Sequence, residues 1–329
     1  MIQGNTLLPG GSPASRINWW PLTIVLYVFF SAFRDVYLGG VFQAFSYFEV
    51  VLLTAFLCTI YFAALVFLRQ PDQWRRLRRH WRDAVWINLT TAAAWLSFFH
   101  ALQNIEPSIA STFYVGVGPF TVILLGIMGF HISAPTPLRA AEKWFNGGIL
   151  VSLLLLAGVE LAGLSGLKAP GAGAAESLFN LALAFLSGVF LTLYNLVCKR
   201  MNESGVSPEA IISVRFIVIA SVSLAVILAG AVRETGPHSF GALGLVSLIL
   251  VILIVAPNYL YQVGISHTPS LTANVIRATG PIFVFVIQIF EGRVFYSRYT
   301  LICIVLYSAF VALSNLSRSW RETPGPSGR

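Results

Sequence analysis

Arg277 is the residue whose setting most demands chemistry. It lies about eight residues into the apolar stretch that begins at Pro269. At about 1.5 Å rise per residue that is roughly 12 Å deep, near the middle of a hydrocarbon layer about 30 Å thick. A charge at that depth costs at least about 2.5–3.5 kcal/mol and therefore faces a cavity or a partner. Pro281 follows four residues later. Its missing N–H leaves the carbonyl of residue 277 without a helical donor and favours a kink there. A guanidinium beside opened backbone suits a carboxylate or a phosphate. Two other expectations stand beside ligand contact: an ion pair with Asp35 or Glu49, and snorkelling of the long side chain toward the interface.

Other residues offer weaker chemistry. Arg215 lies at similar depth, about seven residues after Pro208, and is expected to play a structural hydrogen-bonding role. Arg34 and Asp35 are adjacent, about 100° apart on a helix, so they need not pair with each other. Asp35 is read either as an ion-coupling carboxylate, its proton affinity raised by desolvation, or as a solvated interfacial acid. Glu49 follows Ser46 by three residues, the spacing of a capping box; proton coupling is the alternative. Glu160 is expected at the headgroups. Ser97 and His100 share a helix face. Adjacent turns of one helix give poor attack geometry for a serine hydrolase, so His100 is expected to line the mouth of a cavity. Trp95, Phe98, Phe99, Tyr114, Tyr259 and Tyr261 crowd the same regions, either as packing or as aromatic walls that could hold a cation. Trp95, Tyr114, Asn258 and Tyr259 join Arg277 and His100 as candidate ligand contacts.

No cofactor is expected. Cys58, Cys198 and Cys303 lack metal-like spacing and read as small apolar fillers. There is no GxxxxGK[ST] phosphate loop, so direct use of ATP has no support.

The elements that must position these residues follow from composition. Hydrophobic residues make up 57% of the 329-residue chain and charged residues 10%, against roughly 25% charged in soluble domains. Ten apolar stretches are long enough to cross a bilayer: roughly 20–41, 46–68, 84–103, 107–130, 145–163, 177–198, 208–232, 242–264, 269–290 and 297–317. Ser207-Pro208 and Thr268-Pro269 have the form of helix starts, a capping side chain before a proline at the first helical position.

With the N-terminus inside, fourteen Lys and Arg residues fall on inner segments and four on outer ones. The inner set includes Arg75, Arg76, Arg78, Arg79, Arg82, Arg139, Lys143, Lys199, Arg200 and Arg318; the outer four are Lys168, Arg233, Arg293 and Arg298. That asymmetry places both termini in the cytoplasm. The net charge of +8 then reflects topology and not nucleic-acid binding, for which no stacking platform or continuous basic face is present. Residues 75–82, with Trp74 and Trp81, read as an anchor for anionic headgroups.

Two segments repeat. Pro107-Ser108 and Gly118-Pro119 recur 162 residues later as Pro269-Ser270 and Gly280-Pro281. Five spans in each half would insert the second half upside down, giving an inverted repeat. The expected division is a 1–19 tail, a first repeat over 20–163, a linker over 164–176, a second repeat over 177–317 and a 318–329 tail. Pro119 and Pro281, with Gly118 and Gly280, are expected kinks and pivots.

These paired motifs resemble the drug/metabolite transporter superfamily, and within it the ten-helix EamA branch. Glu291-Gly292 and Arg215-Phe216 fit the same pattern. The resemblance covers almost the whole chain and is strongest over Ala94–Leu125 and Pro257–Glu291. It implies an all-α polytopic membrane protein with a 5+5 inverted repeat. It also implies a central cavity walled mainly by spans three, four, eight and nine, and export or exchange of small metabolites. The expected function is secondary transport of a small anionic or zwitterionic metabolite, amino-acid-like in character, across the cytoplasmic membrane. The small-molecule substrate and the lipid bilayer are the expected partners. An exchanger of phosphorylated or nucleotide-linked sugars is the alternative, with a membrane enzyme or a non-transporting sensor behind it.

Overall fold

The computed structural model describes residues 19–128, 140–167, 173–231, 240–268 and 270–322. The expected 1–19 tail lies outside these residues except for Trp19, as do Arg139, Lys168, Arg233, Pro269 and the end of the C-terminal tail. The described chain is helical: α1 (Trp20–Ala44), α2 (Tyr47–Arg69), α3 (Asp72–Arg79), α4 (Trp81–Asn104), α5 (Pro107–Gly116), α6 (Gly118–Ile127), α7 (Ala140–Leu161), α8 (Ala174–Glu203), α9 (Pro208–Arg215), α10 (Ile217–Leu228), α11 (Phe240–His267), α12 (Ser270–Ala278), α13 (Gly280–Glu291) and α14 (Arg298–Glu322). Ten segments are long and apolar enough to span a membrane. They match the ten expected stretches to within a few residues at their ends. Exposed Phe67, Leu68, Ile127, Leu228 and Phe290 lie on their surfaces, as a lipid solvent permits.

Three spans are interrupted in mid-course. The fourth breaks at Val117 between α5 and α6, the seventh at Phe216 between α9 and α10, and the ninth at Thr279 between α12 and α13. Val117 and Thr279 are 162 residues apart, so the two Gly-Pro pairs break their spans in register. Pro119 and Pro281 have no N–H for the carbonyls of residues 115 and 277. Neighbouring side chains take up backbone groups at the breaks. Ser308 Oγ donates to the Ala278 carbonyl at 2.8 Å. Asn88 Nδ2 donates to the Val214 carbonyl at 2.7 Å, and its Oδ1 accepts from Val218 N at 3.1 Å.

The segment over 70–83, between the second and third expected stretches, contains the eight-residue helix α3. Pro71 precedes it, and the strong helix formers Gln, Arg and Leu fill it. It docks onto the turn before α9: Gln73 Oε1 accepts from Ser207 N at 2.9 Å, and Arg76 donates to the Gly205 carbonyl. Asp83 receives Arg200. Ser207 forms the expected cap, accepting from Ala210 N at 3.3 Å. Ser46 makes no side-chain cap bond, so the capping box expected with Glu49 does not form. This end of the bundle, rich in arginine, lies opposite the end that carries the linker.

At the linker end one carboxylate joins four elements. Glu106, in the two-residue turn between α4 and α5, is fully buried. Its Oε1 accepts from Ser108 Oγ at 2.7 Å and Gln288 Nε2 at 2.6 Å; its Oε2 accepts from Gly166 N at 2.9 Å and Thr300 Oγ1 at 3.1 Å. Gln288 Oε1 in turn accepts from Ser108 N at 3.0 Å. A carboxylate out of water is tolerable only when its lone pairs are filled. The linker is held further by an antiparallel bridge between Leu167 and Val294 and by Phe295 N donating to the Gly166 carbonyl at 2.6 Å. A Cβ on residue 166 would collide with the Phe295 carbonyl, so this contact needs glycine. Arg293 sits beside Glu291 in the same turn, 3.5 Å away. Burial pushes its guanidinium below its ordinary value, and Glu291 opposes that shift. Glu160, expected at the headgroups, is instead buried, with Oε2 lacking a partner. The closing of the linker over this end excludes it from water.

Two of these contacts set stability. Gly188 of α8 lies against α5, and a Cβ there would stand 2.6 Å from the Phe113 carbonyl. Gly188→Ala should lower stability in detergent by about 1–3 kcal/mol through overpacking. An unchanged thermal midpoint would show that the backbones can separate without cost. Glu106→Gln keeps the shape but turns an amide donor toward a set of donors. Each charged hydrogen bond lost costs about 1.5–3 kcal/mol, so the midpoint should fall by more than for Gly188→Ala.

Candidate functional site

Around the breaks in the interrupted helices gathers a cluster of arginines and tyrosines, here termed the chamber. Arg277, in the last turn of α12, is half-buried. Its Nη1 donates to the Tyr261 hydroxyl at 3.1 Å, and its guanidinium carbon lies 5.2 Å from the centre of that ring. Tyr261 of α11 packs against Tyr27 of α1 with ring centroids 4.6 Å apart. Tyr27, Tyr114 and Tyr307 also lie within electrostatic reach of the guanidinium. Tyr307 comes from α14 and lies against Gly116 at the end of α5. Tyr114 stacks on Phe98 at 4.2 Å.

No carboxylate among the described residues forms an ion pair with Arg277. The expected partner Asp35 is taken. Arg34 reaches it through both Nε and Nη2, at 2.9 and 2.7 Å, and both residues are buried. Backbone directions about 100° apart do not prevent this, because the arginine side chain is long enough to fold back on its neighbour. Glu49 is half-buried in the first turn of α2, toward the linker end, and makes no ion pair among the described residues. The ion-pair expectations for Arg277 are therefore corrected. Its neighbours are tyrosines, whose ring faces and hydroxyls stabilise a cation without neutralising it.

Arg215 has a cage of its own at the end of α9. Its Nη1 donates to the Tyr194 hydroxyl at 2.7 Å. Its guanidinium lies 4.4 Å from the Tyr194 ring centre, 4.7 Å from that of Phe216 and 5.5 Å from that of Trp95. Trp95 is thus a wall of this cage, and it packs edge-on against Phe99 and Phe216. On the other side of these rings lies a small apolar cavity of about 20 Å³ lined by Cys58, Trp95 and Phe216 among others.

The remaining candidates separate from this centre. Tyr259 is 54% exposed, and Tyr261, two residues on, is the tyrosine of α11 that joins the chamber. Asn258 uses Nδ2 on the Ile254 carbonyl at 2.7 Å, within its own helix. His100 meets Tyr47 and Phe179, at 6.2 and 5.9 Å between ring centres, which sets it at the linker end. Gly118-Pro119 and Gly280-Pro281 begin α6 and α13 at the breaks, as expected of kinks.

Sequence reasoning missed Tyr27, Tyr194 and Tyr307 in the chamber, and Glu106 and Gln288 at the linker end. The tyrosines come from spans one, six and ten and carry no shared local pattern. Glu106 had a readable signal: a carboxylate confined to a two-residue turn between spans cannot reach far into water.

No curated protein matches the chain. A crystal structure described only as that of a protein superposes with a TM-score of 0.61 at 20% identity, over 92% of this chain and 98% of the other. That likeness shows a shared fold. The model of the EamA-like transporter family matches residues 178–316, which hold Arg215, Tyr194 and Phe216 and the whole of the broken ninth span. Over its second half the chain is thus similar to the EamA-like transporter family, and its described residues hold ten helices long and apolar enough to cross a membrane.

Proposed function

We propose that the protein is a secondary transporter that exports a small anionic or zwitterionic metabolite, an amino acid or a relative, across the cytoplasmic membrane by alternating access. The observation that carries this reading is Arg277: a guanidinium at mid-bilayer, in a chamber of tyrosines, with no carboxylate to neutralise it among the described residues. A bound anion would supply the missing charge through charge-assisted hydrogen bonds.

The helix packing supports a pathway. At the linker end α5 packs on α13, and Glu106 fastens that contact. Toward the arginine-rich end the other halves of the same spans part company: α6 packs on α8, while α12 packs on α14 and α1. The chamber therefore lies where two broken spans diverge from a sealed end. With the arginine-rich end in the cytoplasm, such packing would suit an inward-facing state that loads from inside. Opening the other way would require the Glu106 bonds to break and the halves to pivot at Val117 and Thr279. Transport would then draw on a gradient of substrate or of an ion.

Orientation is open to direct labelling. The native cysteines are all buried, so a single new cysteine reports cleanly. In intact cells an impermeant maleimide should label a cysteine at Ala162 and spare one at Arg78 until the membrane is permeabilised. The opposite pattern would reverse the proposed topology.

Affinity tests the arginine. Benzoate and benzamide are a flat pair that differ in the anionic group. Purified wild type should prefer benzoate. Arg277→Gln should weaken benzoate by about 1–3 kcal/mol and leave benzamide nearly unchanged. Arg277→Lys keeps the charge but loses the planar fork, and should fall between the two. Wild-type benzoate affinity in folded Arg277→Gln would remove the arginine from the binding site.

A further inference from the structure

We propose that Arg215 is a second anion-binding group of the same chamber, and that the cargo is a small dianion with its two negative groups set apart, a dicarboxylate or a phosphorylated acid. The proposal rests on the reading of Arg277 as the first such group.

Three observations lead to it. Arg215 is 4% exposed and has no ion pair among the described residues. A guanidinium carries five N–H donors. One goes to the Tyr194 hydroxyl, while Nε is buried with no hydrogen-bond partner. An arginine serving only to hold helices together would be expected to spend its donors on carboxylates or carbonyls, because a buried donor left unmade is costly. The rings of Trp95, Tyr194 and Phe216 stabilise the charge through their faces, but a ring face gives an in-plane N–H no strong acceptor.

The second observation is charge. Arg34 is cancelled by Asp35. Arg215 and Arg277 are not cancelled by any described carboxylate, so the chamber holds about two uncompensated positive charges. Two such charges in a layer of low dielectric repel each other and favour a ligand that answers both.

The third is position. Tyr114 lies within electrostatic reach of both Arg215 and Arg277. A chain of ring contacts, Trp95 to Phe99 to Phe98 to Tyr114, leads from the cage of Arg215 to this tyrosine. A cargo that spans this ring would place one anionic end in each cage. The two arginines also share a construction, each in the last turn of a half-helix, one before the break at Phe216 and the other before the break at Thr279.

The experiment compares benzene-1,4-dicarboxylate with its monoamide, 4-carbamoylbenzoate, on the purified full chain in lipid nanodiscs. The two probes share a shape and differ by one negative charge. Phenyl phosphate is run beside them, a dianion with both charges at one end. Wild type should bind the dicarboxylate at least about tenfold more tightly than the monoamide, and also more tightly than phenyl phosphate. In Arg215→Gln that preference should vanish while monoamide affinity stays near wild type. In Arg277→Gln both probes should weaken. Arg215→Lys, which keeps the charge, should retain part of the preference and covers the case in which the glutamine variant fails to fold. Equal binding of the two probes by wild type would overturn the second site and leave Arg277 standing, as would an intact preference in folded Arg215→Gln. Tighter binding of phenyl phosphate than of the dicarboxylate would overturn the separated charges. Failure of folded wild type to bind any of the three would overturn both readings.

Discussion

A carboxylate removed from water must be surrounded by donors, and the arrangement of this bundle at one end follows from meeting that condition for Glu106. Its four donors come from the start of α5, the linker, α13 and α14. No single helix could supply them. Satisfying one side chain therefore fixes the fourth, ninth and tenth spans against one another and draws the linker over them. The bonds are strong in a dry setting and weak once water enters. A closure of that kind can hold one state of a transporter firmly and still be undone, because water or rearranged partners can replace the donors as the seal parts.

The same dry interior sets the opposite condition at mid-bilayer. There two guanidiniums form no ion pair among the described residues, and aromatic rings lie against them. A carboxylate partner would have satisfied each arginine permanently and closed it to a ligand. A ring face lowers the cost of the charge while leaving N–H groups open to a better acceptor. Arg34 shows the contrast. It is paired with Asp35 on its own helix and has little to offer an anion. On the proposed reading, fold stability and ligand chemistry are divided between neighbouring arginines.

The ten spans were legible because a helix that crosses lipid must be long and apolar, a pattern visible without neighbours. The breaks at Val117 and Thr279 were legible from Gly118-Pro119 and Gly280-Pro281, since proline removes a specific helical bond wherever it stands. Arg277 was legible as a charge deep within an apolar stretch. What stayed hidden required knowledge of which helices meet. The break at Phe216 has no proline to announce it, and Asn88 of another span stabilises it. Tyr259 was the tyrosine of this pair chosen as a candidate ligand contact, yet Tyr261 meets Arg277, a choice set by helix rotation. The pairing of Arg34 with Asp35 depended on the side-chain conformation, which adjacency along a helix does not determine. Glu106 could be seen in the sequence only as an acid in a short turn, while its partners lie as many as 194 residues away.

The central claim is that this chamber selects anions for passage. The most direct measurement loads proteoliposomes with a mixed extract of small metabolites and follows, by mass spectrometry, which compounds leave through the wild-type protein and through Arg277→Gln. The account predicts that the compounds lost through wild type carry carboxylates or phosphates, and that the variant, inserted to the same level, retains them. Loss of neutral or cationic compounds instead, or the same pattern of loss through both proteins, would contradict it.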